Sequence, residues 1–200
     1  MATSILLLRH AQSTWNEEGR WQGWADPPLS AQGEAAARAA TDAAALEDLD
    51  GTTASDLQRA SRTAELLAGA RAWAPPRRYR GLRERGAGRW TGLTRSEIEA
   101  AWPGALTPPV AAIVGGEAPA AVTARAVATL HRIAADWPGG RVLAVTHGAL
   151  IRLVEGHLGS ASTVLPNLAG RWVVVDAGTL VLGDRVEPLG APAPSTPGVR

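Results

Sequence analysis

The sequence contains no cysteine, no lysine and no phenylalanine. Without cysteine, disulfide bonds, thiolate catalysis and cysteine-ligated zinc sites are excluded. All 20 basic side chains are arginine, and the 19 acidic ones leave a net charge of +1. So small a net charge gives no overall field for nucleic acid or for an anionic membrane, and we predict neither as a partner. Codon bias accounts for the arginine total, so only individual arginine positions carry an argument.

The sequence also has no long hydrophobic run. The first apolar run, within MATSILLLRHAQS, follows no basic segment and is ended early by Arg9 and His10. A signal peptide needs a basic region before its apolar run, and a membrane helix needs about 20 apolar residues. We therefore expect neither and predict a cytoplasmic enzyme.

The length of 200 residues, 46% of them hydrophobic, is sufficient for one compact domain with a core. We predict a single domain over residues 1–190, in which 75–118 are a candidate small cap over the site. The last ten residues, 191–200, are rich in proline and are predicted to be a flexible tail.

Apolar runs at residues 4–8 and 141–146 predict buried strands, and residues 52–55 are a short strand candidate. Residues 172–176 and 179–182 predict a hairpin. Between them, helical spacing and capping residues predict helices. These are a helix from Ser30 to about Leu46, one capped by Asp56, a short one with a Thr94–Glu97 capping box, a long one from Pro119, and one from Gly148 to about Leu158. Such alternation predicts a three-layer α/β/α sandwich with a mostly parallel central sheet and an antiparallel C-terminal edge hairpin.

Two histidines, His10 and His147, each directly follow a predicted buried strand. If the two strands are parallel neighbours, both imidazoles emerge at the edge of the sheet where ligands bind in such folds. Arg9 precedes the first histidine, and Arg59 lies in the first turn of the helix after Asp56. Two imidazoles and two guanidinium groups could therefore meet in one crevice.

This set suits phosphoryl transfer. Guanidinium groups supply paired donors for the phosphoryl oxygens, and a neutral imidazole nitrogen can attack phosphorus. Neighbouring positive charges keep the imidazole neutral, an acceptor on its other nitrogen fixes the tautomer, and a carboxylic acid can protonate the leaving oxygen. The four histidines, which include His131 and His157, lack metal-ligand spacing, so we expect no metal.

Six segments resemble the histidine phosphatase superfamily, the phosphoglycerate-mutase-like group, over roughly residues 4–182. They are LLLRHAQSTWN, GWADPPLSAQGEAAA, SDLQRASRTAE, LRERGAGRWTGLT, GGEAPAAVTARA and VLAVTHGALIRLV. An Arg-His pair alone is weak evidence, whereas several motifs in the family's order with compatible spacing are specific.

The resemblance implies a phosphohistidine at His10, Glu84 as the acid, and neither metal nor organic cofactor. It further implies a small phosphorylated substrate and leaves room for a homodimer. The resemblance places Arg9, Arg59, His147 and Asn16 on the phosphoryl oxygens, and Ser13, Gln22, Gly23 and Gly148 on the phosphate or substrate side.

Some positions depart from the family pattern or compete for a role. Ala11 stands where members usually have glycine, and a small side chain fits there unless the backbone has a positive φ. Arg62 competes with Arg59, although we expect Arg62 to pair with a surface carboxylate such as Glu65. Glu117 is a second candidate for the acid or for a substrate contact.

We predict hydrolysis, because the segment between the acid motif and the long helix is short for a lid that excludes water. The alternative is a cofactor-dependent phosphoglycerate mutase. An alternative of another class is an inactive protein that binds a phosphorylated ligand.

Overall fold

The structure is a computed structural model that describes residues 1–107, 113–161 and 163–189. The predicted tail over 191–200 lies outside the described residues, as do positions 108–112 of the candidate cap. Within the described part of the chain, no helix is both long enough and apolar enough to cross a membrane.

Six strands form one sheet in the order β3-β2-β4-β1-β5-β6. They are β1 (Thr3–Arg9), β2 (Gly51–Ala54), β3 (Arg77–Arg78), β4 (Arg141–Thr146), β5 (Gly170–Asp176) and β6 (Thr179–Val186). The pairs among β3, β2, β4 and β1 are parallel, whereas β5 and β6 add an antiparallel hairpin at one edge. The predicted fold class is therefore confirmed.

Six α-helices connect and cover the strands. They are α1 (Thr14–Glu17), α2 (Ala31–Ala39), α3 (Gln58–Ala70), α4 (Arg95–Ala101), α5 (Pro119–Asp136) and α6 (Gly148–His157), with short 3₁₀ turns at Ala44–Leu46, Arg80–Leu82 and Gly88–Trp90. The predicted capping box of α4 and the proline in the first turn of α5 are both present.

Two helix predictions were wrong. Helix α2 stops seven residues before Leu46, because the Thr41 hydroxyl donates to the carbonyl of Arg38 (3.0 Å) and closes the last turn. Helix α3 begins at Gln58 without a side-chain cap. Asp56 instead forms a bidentate ion pair with Arg83, in which both hydrogen bonds are 2.7 Å long. Two charge-assisted hydrogen bonds stabilise a carboxylate more than one bond from a backbone N–H at a helix start does.

The sheet separates two hydrophobic clusters because alternate side chains of a strand point to opposite faces. Ile5 and Leu7 of β1 face α5 and α6, whereas Leu6 and Leu8 face α2 and α3. Strand β1 is thus apolar on both sides, as its unbroken apolar run predicts. A third, smaller cluster around Trp90 joins residues between β3 and α5, the region of the candidate cap.

Candidate active site

The site begins where β1 and β4 end. These strands are parallel neighbours whose last paired residues are Arg9 and Thr146, and the His10 N–H donates to the Thr146 carbonyl (3.0 Å). His10 and His147 therefore leave the sheet side by side. Their ring centroids are 5.1 Å apart, with the ring planes inclined by 63°.

The tautomer of His10 is fixed by its own main chain. Nδ1 lies 2.6 Å from the Ala11 carbonyl, which can only accept, so Nδ1 carries the proton. The lone pair is therefore on Nε2, and His10 is one of the residues that line the cavity. The preceding peptide, between His10 and Ala11, is held by two further contacts: the Ala11 N–H donates to the Thr63 hydroxyl (3.1 Å), and the Asn167 amide donates to the His10 carbonyl (2.8 Å).

Both imidazoles are kept neutral. Burial, and then the nearby charges of Arg59 and Arg9, hold the pKa of His10 well below its ordinary 6.5. The pKa of His147 is lowered in the same direction by burial, by Arg59 and by the neighbouring His10. Neither ring nitrogen of His147 has a hydrogen-bond partner among the described residues, which leaves this ring available to a ligand oxygen.

Arg59 enters the site from the first turn of α3. Its Nη1 and Nη2 donate to the carbonyls of Ala25 (2.8 Å) and Gly23 (3.0 Å), which fixes the loop before α2. Burial lowers the pKa of Arg59 to about 10, so the group stays charged at neutral pH. Arg62 points elsewhere and pairs with Glu34 (2.9 Å) and Glu65 (3.8 Å).

Arg9 lies on the other side of the two rings. Its Nη1 donates to the Leu165 carbonyl, whereas its Nε has no partner within the described chain. A Cβ at Gly148 would lie 3.4 Å from Cδ and Nε of Arg9, so the glycine at the start of α6 leaves room for this side chain. The pKa of Arg9 is lowered from its ordinary value, mainly by burial.

Glu84 lines the cavity and lies next to the first turn of α6. One carboxylate oxygen accepts from the following N–H, of Arg85 (2.9 Å), and the other is 3.4 Å from the N–H of Ala149. Its own carbonyl accepts from the indole of Trp24 (2.8 Å). The backbone that carries this acid is thus tied to two neighbouring segments.

The sequence profile described as "Histidine phosphatase superfamily (branch 1)" matches residues 5–167, most of the chain. The chain belongs to this superfamily. Glucosyl-3-phosphoglycerate phosphatase of Mycolicibacterium vanbaalenii is 34% identical over 196 residues, which cover 90% of this chain and 87% of that protein.

Two solved structures resemble this chain along almost their whole length. A mycobacterial glucosyl-3-phosphoglycerate phosphatase has a TM-score of 0.80 at 28% identity, over 94% of this chain and 99% of that one. The Bacillus stearothermophilus YhfR structure has a TM-score of 0.81 at 29% identity, over 93% and 96% of the two chains.

A structure described as phosphoglycerate mutase from Bacillus anthracis is also similar, with a TM-score of 0.75 at 26% identity over 94% of this chain and 93% of that one. In sequence, the curated phosphoglycerate mutases align over a shorter stretch. The 2,3-bisphosphoglycerate-dependent phosphoglycerate mutase of Nitratidesulfovibrio vulgaris is 43% identical over 100 residues, 48% of this chain. The match spans about 40% of the length of that mutase.

The structure reveals an arginine that sequence reasoning missed. Arg125 of α5 donates to the carbonyls of Gly81 (2.8 Å), Arg83 (2.7 Å) and Glu84 (2.9 Å). Its Nε and Nη2 are themselves held by the Glu117 carboxylate, at 2.8 and 2.9 Å. Arg125 therefore clamps the segment that presents Glu84, although no pattern in the sequence singles it out.

The Glu117 carboxylate binds the Arg125 guanidinium and is not part of the cavity lining. Burial raises the pKa of its carboxyl, but hydrogen bonds from Arg125 and from the Gly86 N–H lower the pKa on balance. A carboxylate that is held ionised is a poor proton donor. The structure thus argues against Glu117 as the acid.

The loop after His10 contributes some of the predicted substrate-side residues to the cavity and not others. Asn16, Gln22 and Gly23 line it. Ser13 does not, because its buried hydroxyl donates to Gln22 (3.0 Å) and accepts from the Asn16 N–H (3.1 Å) as the cap of α1. Ala11 is not among the residues with positive φ, and its methyl group packs in the core cluster of α2 and α3.

The cavity has a volume of about 1350 Å³ and extends from Arg9, His10 and Arg59 along α5 and α6. Of the predicted residues, it is lined by Arg9, His10, Asn16, Gln22, Gly23, Arg59, Glu84 and Gly148. His147 lies beneath it, fully buried against His10. Within the described ranges, no group of three or more histidine and acidic side chains could hold a metal ion.

Proposed function

We propose that this chain is a phosphomonoesterase that transfers the phosphoryl group of a small phosphorylated metabolite to His10 and then to water. One observation carries the proposal: two neutral imidazoles and two guanidinium groups meet at the ends of β1 and β4, and the Nδ1 proton of His10 is bound to a carbonyl. That arrangement leaves Nε2 as a nucleophile beside donors for three phosphoryl oxygens.

In the first step, the Nε2 lone pair of His10 forms a bond to phosphorus while the bond from phosphorus to the ester oxygen breaks. Glu84 gives its proton to that oxygen, and the alcohol leaves. Arg9, Arg59 and the Asn16 amide, which line the cavity, bind the phosphoryl oxygens throughout, together with His147, which packs against His10 beneath the cavity.

In the second step, water attacks phosphorus and the bond from phosphorus to Nε2 breaks. The Glu84 carboxylate now accepts the proton of the water, which restores both groups and releases inorganic phosphate. No step uses a metal or an organic cofactor, and we propose that the enzyme works without either in the cytoplasm. A homodimer stays a prediction.

One comparison of sequences favours hydrolysis over mutase activity. The phosphatase from Mycolicibacterium vanbaalenii aligns along 87% of its length, whereas the alignment with the Nitratidesulfovibrio vulgaris mutase covers about 40% of that mutase. The inactive alternative is disfavoured because His10, Arg59 and His147 lie together rather than apart.

Rapid-quench labelling tests the proposal. Brief exposure of the enzyme to ³²P-labelled phosphomonoesters should leave a protein adduct that survives alkali and is lost in acid. His10→Ala should show no adduct and at least a 1,000-fold lower turnover, a loss on the order of that for a removed nucleophile. His131→Ala, which removes a histidine outside the cavity lining, should behave like the wild type.

Three results would count against the proposal. Retention of the adduct in His10→Ala would place the nucleophile elsewhere, and loss of turnover with a chelator would indicate a metal. Faster transfer to phosphoglycerate than to water would assign the mutase reaction instead.

A further inference from the structure

The cavity carries more positive charge than one phosphoryl group needs. Among the described residues, its lining includes five guanidinium groups and a single carboxylate, Glu84. Two of the five, Arg9 and Arg59, flank the His10 ring as described above. The other three, on Arg20, Arg85 and Arg152, lie further out along the wall.

Arg152 differs from the other two outer arginines. Arg20 is bound by Glu18 (2.7 Å) and by the Gly92 carbonyl (2.7 Å), and Arg85 donates to the Glu117 carbonyl (2.8 Å). Arg152 has no hydrogen bond and no ion pair with any residue that the structure describes, yet it lines the cavity. Its charge is close enough to Arg9 to help lower the pKa of that group.

The position of Arg152 on α6 sets its distance from the reacting phosphorus. It is four residues beyond Gly148, which places it on the same helix face, about 6 Å further along the axis. Gly156, one turn later, also lines the cavity and leaves the space beside Arg152 open. If the phosphoryl group lies against His10, Arg152 is therefore one turn of α6 further along the cavity wall, where the leaving group would extend.

The walls around Arg152 are mostly apolar. One face of α5 presents Ala120, Ala124 and Val127, and Leu153 of α6 adjoins it. Trp15 and Trp21 also line the cavity. The volume of about 1350 Å³ exceeds the roughly 300–1,000 Å³ of ordinary small-molecule sites, so the leaving group can be large.

We propose that Arg152 binds a carboxylate on the leaving group, and that the preferred substrates are phosphomonoesters whose leaving group combines an apolar body with that carboxylate. Glu18 binds Arg20, Arg9 and Arg59 bind the phosphoryl group, and Arg85 binds the segment around Glu84. Within the part of the chain that the structure describes, Arg152 is then the cation in the lining without a counter-charge, so one carboxylate on the leaving group would complement it. This inference rests on the proposed function, since it assumes that the phosphoryl group lies against His10.

A matched pair of substrates tests the inference. Phenyl phosphate and 3-carboxyphenyl phosphate differ in one carboxylate, and kcat/KM is measured for both with the wild type, Arg152→Gln and Arg89→Gln. Arg89 is exposed and outside the cavity lining, so its variant loses the same charge elsewhere. The ratio of kcat/KM, carboxylated over plain, should exceed about ten in the wild type and in Arg89→Gln, and should fall about tenfold or more in Arg152→Gln.

Binding provides a readout that needs no turnover. Benzylphosphonate and 3-carboxybenzylphosphonate cannot be hydrolysed, and their Kd values should show the same pattern across the three proteins. If neither ester is hydrolysed but the phosphonates follow the pattern, the proposed function fails and the anion site stands.

Two outcomes would overturn the inference. An equal loss on both substrates in Arg152→Gln would mean that this arginine serves the phosphoryl group. The inference would also be refuted if the wild type had equal kcat/KM values for the two paired compounds. A higher kcat/KM for a compound with a second phosphate in place of the carboxylate would refute it as well.

Discussion

The proton on Nδ1 of His10 decides where this ring can react. Because the Ala11 carbonyl accepts that proton at 2.6 Å, the ring cannot turn over without breaking a buried hydrogen bond. The bond uses the peptide next to the histidine itself, so the orientation needs no second side chain. Thr63 and Asn167 secure that same stretch of backbone from two directions.

The neutrality of the buried histidines makes stability depend on pH. Their pKa values lie well below 6.5 in the folded protein, so between 6.5 and those values the unfolded chain binds more protons. The free energy of unfolding should therefore decrease as the pH falls below about 6.5, by up to about 1.4 kcal/mol per pH unit for each histidine.

Urea unfolding at pH 7.5, 6.5 and 5.5 measures this slope. His147→Asn should reduce it by the share of one histidine, and His157→Gln, which alters an exposed histidine, should not. Carboxyl groups with a lowered pKa, such as Glu117, change the free energy of unfolding only near and below the ordinary pKa of 4.5, which is below the pH range of the urea unfolding experiment. A slope that His147→Asn leaves unchanged would mean that this ring is protonated in the folded state.

At the level of elements, α5 contributes the clamp that positions the acid. Arg125→Gln should lower kcat about 10- to 100-fold on alkyl phosphates, because a misplaced proton donor is costly. On p-nitrophenyl phosphate, whose leaving group needs little protonation, the loss should be several-fold smaller. Steady-state kinetics on both substrates gives the comparison, with Glu84→Gln as the reference for a missing acid.

Arg132→Gln is the matched control for Arg125→Gln, since it lies two turns further along α5 and is exposed. It should leave both rates at the wild-type level. An Arg125→Gln enzyme that loses the same factor on both substrates would indicate a general loss of structure rather than a displaced acid.

The contact between α2 and the loop after His10 gives a second prediction at this scale. A Cβ at Gly33 would lie 1.9 Å from the Gln12 carbonyl oxygen, so Gly33→Ala must separate the helix from the loop. We expect a destabilisation of about 2 kcal/mol or more, from overpacking in a buried contact. Thermal or urea unfolding measures it.

Gly69→Ala is the counterpart in α3, where an added Cβ meets nothing within 4 Å. It should stabilise the protein by up to about 1 kcal/mol, because alanine is the better helix former. Equal effects of the two substitutions would show that the close approach at Gly33 is relaxed in solution.

Across the whole molecule, the features that could be predicted from the sequence are those that depend on the pattern of neighbouring residues in the chain. The apolar run of β1 and the two histidines that follow buried strands were sufficient to predict the sheet and the meeting of His10 with His147. Asp56 was misassigned because the competing partner, Arg83, is 27 residues away along the chain. Arg125 was missed because its targets are backbone carbonyls, which every residue has and no sequence pattern marks.

The spacing between the adjacent parallel strands β1 and β4 determines the separation of His10 and His147, because each histidine follows the last paired residue of its strand. The catalytic end of the site is therefore built into backbone pairing, while the walls around the leaving group come from helical side chains on α5 and α6. Chemistry and recognition can thus change independently. Residues such as Ala124 or Leu153 could be exchanged to admit a different alcohol while the spacing of the two rings, and with it the rate of phosphoryl transfer, stays as it is.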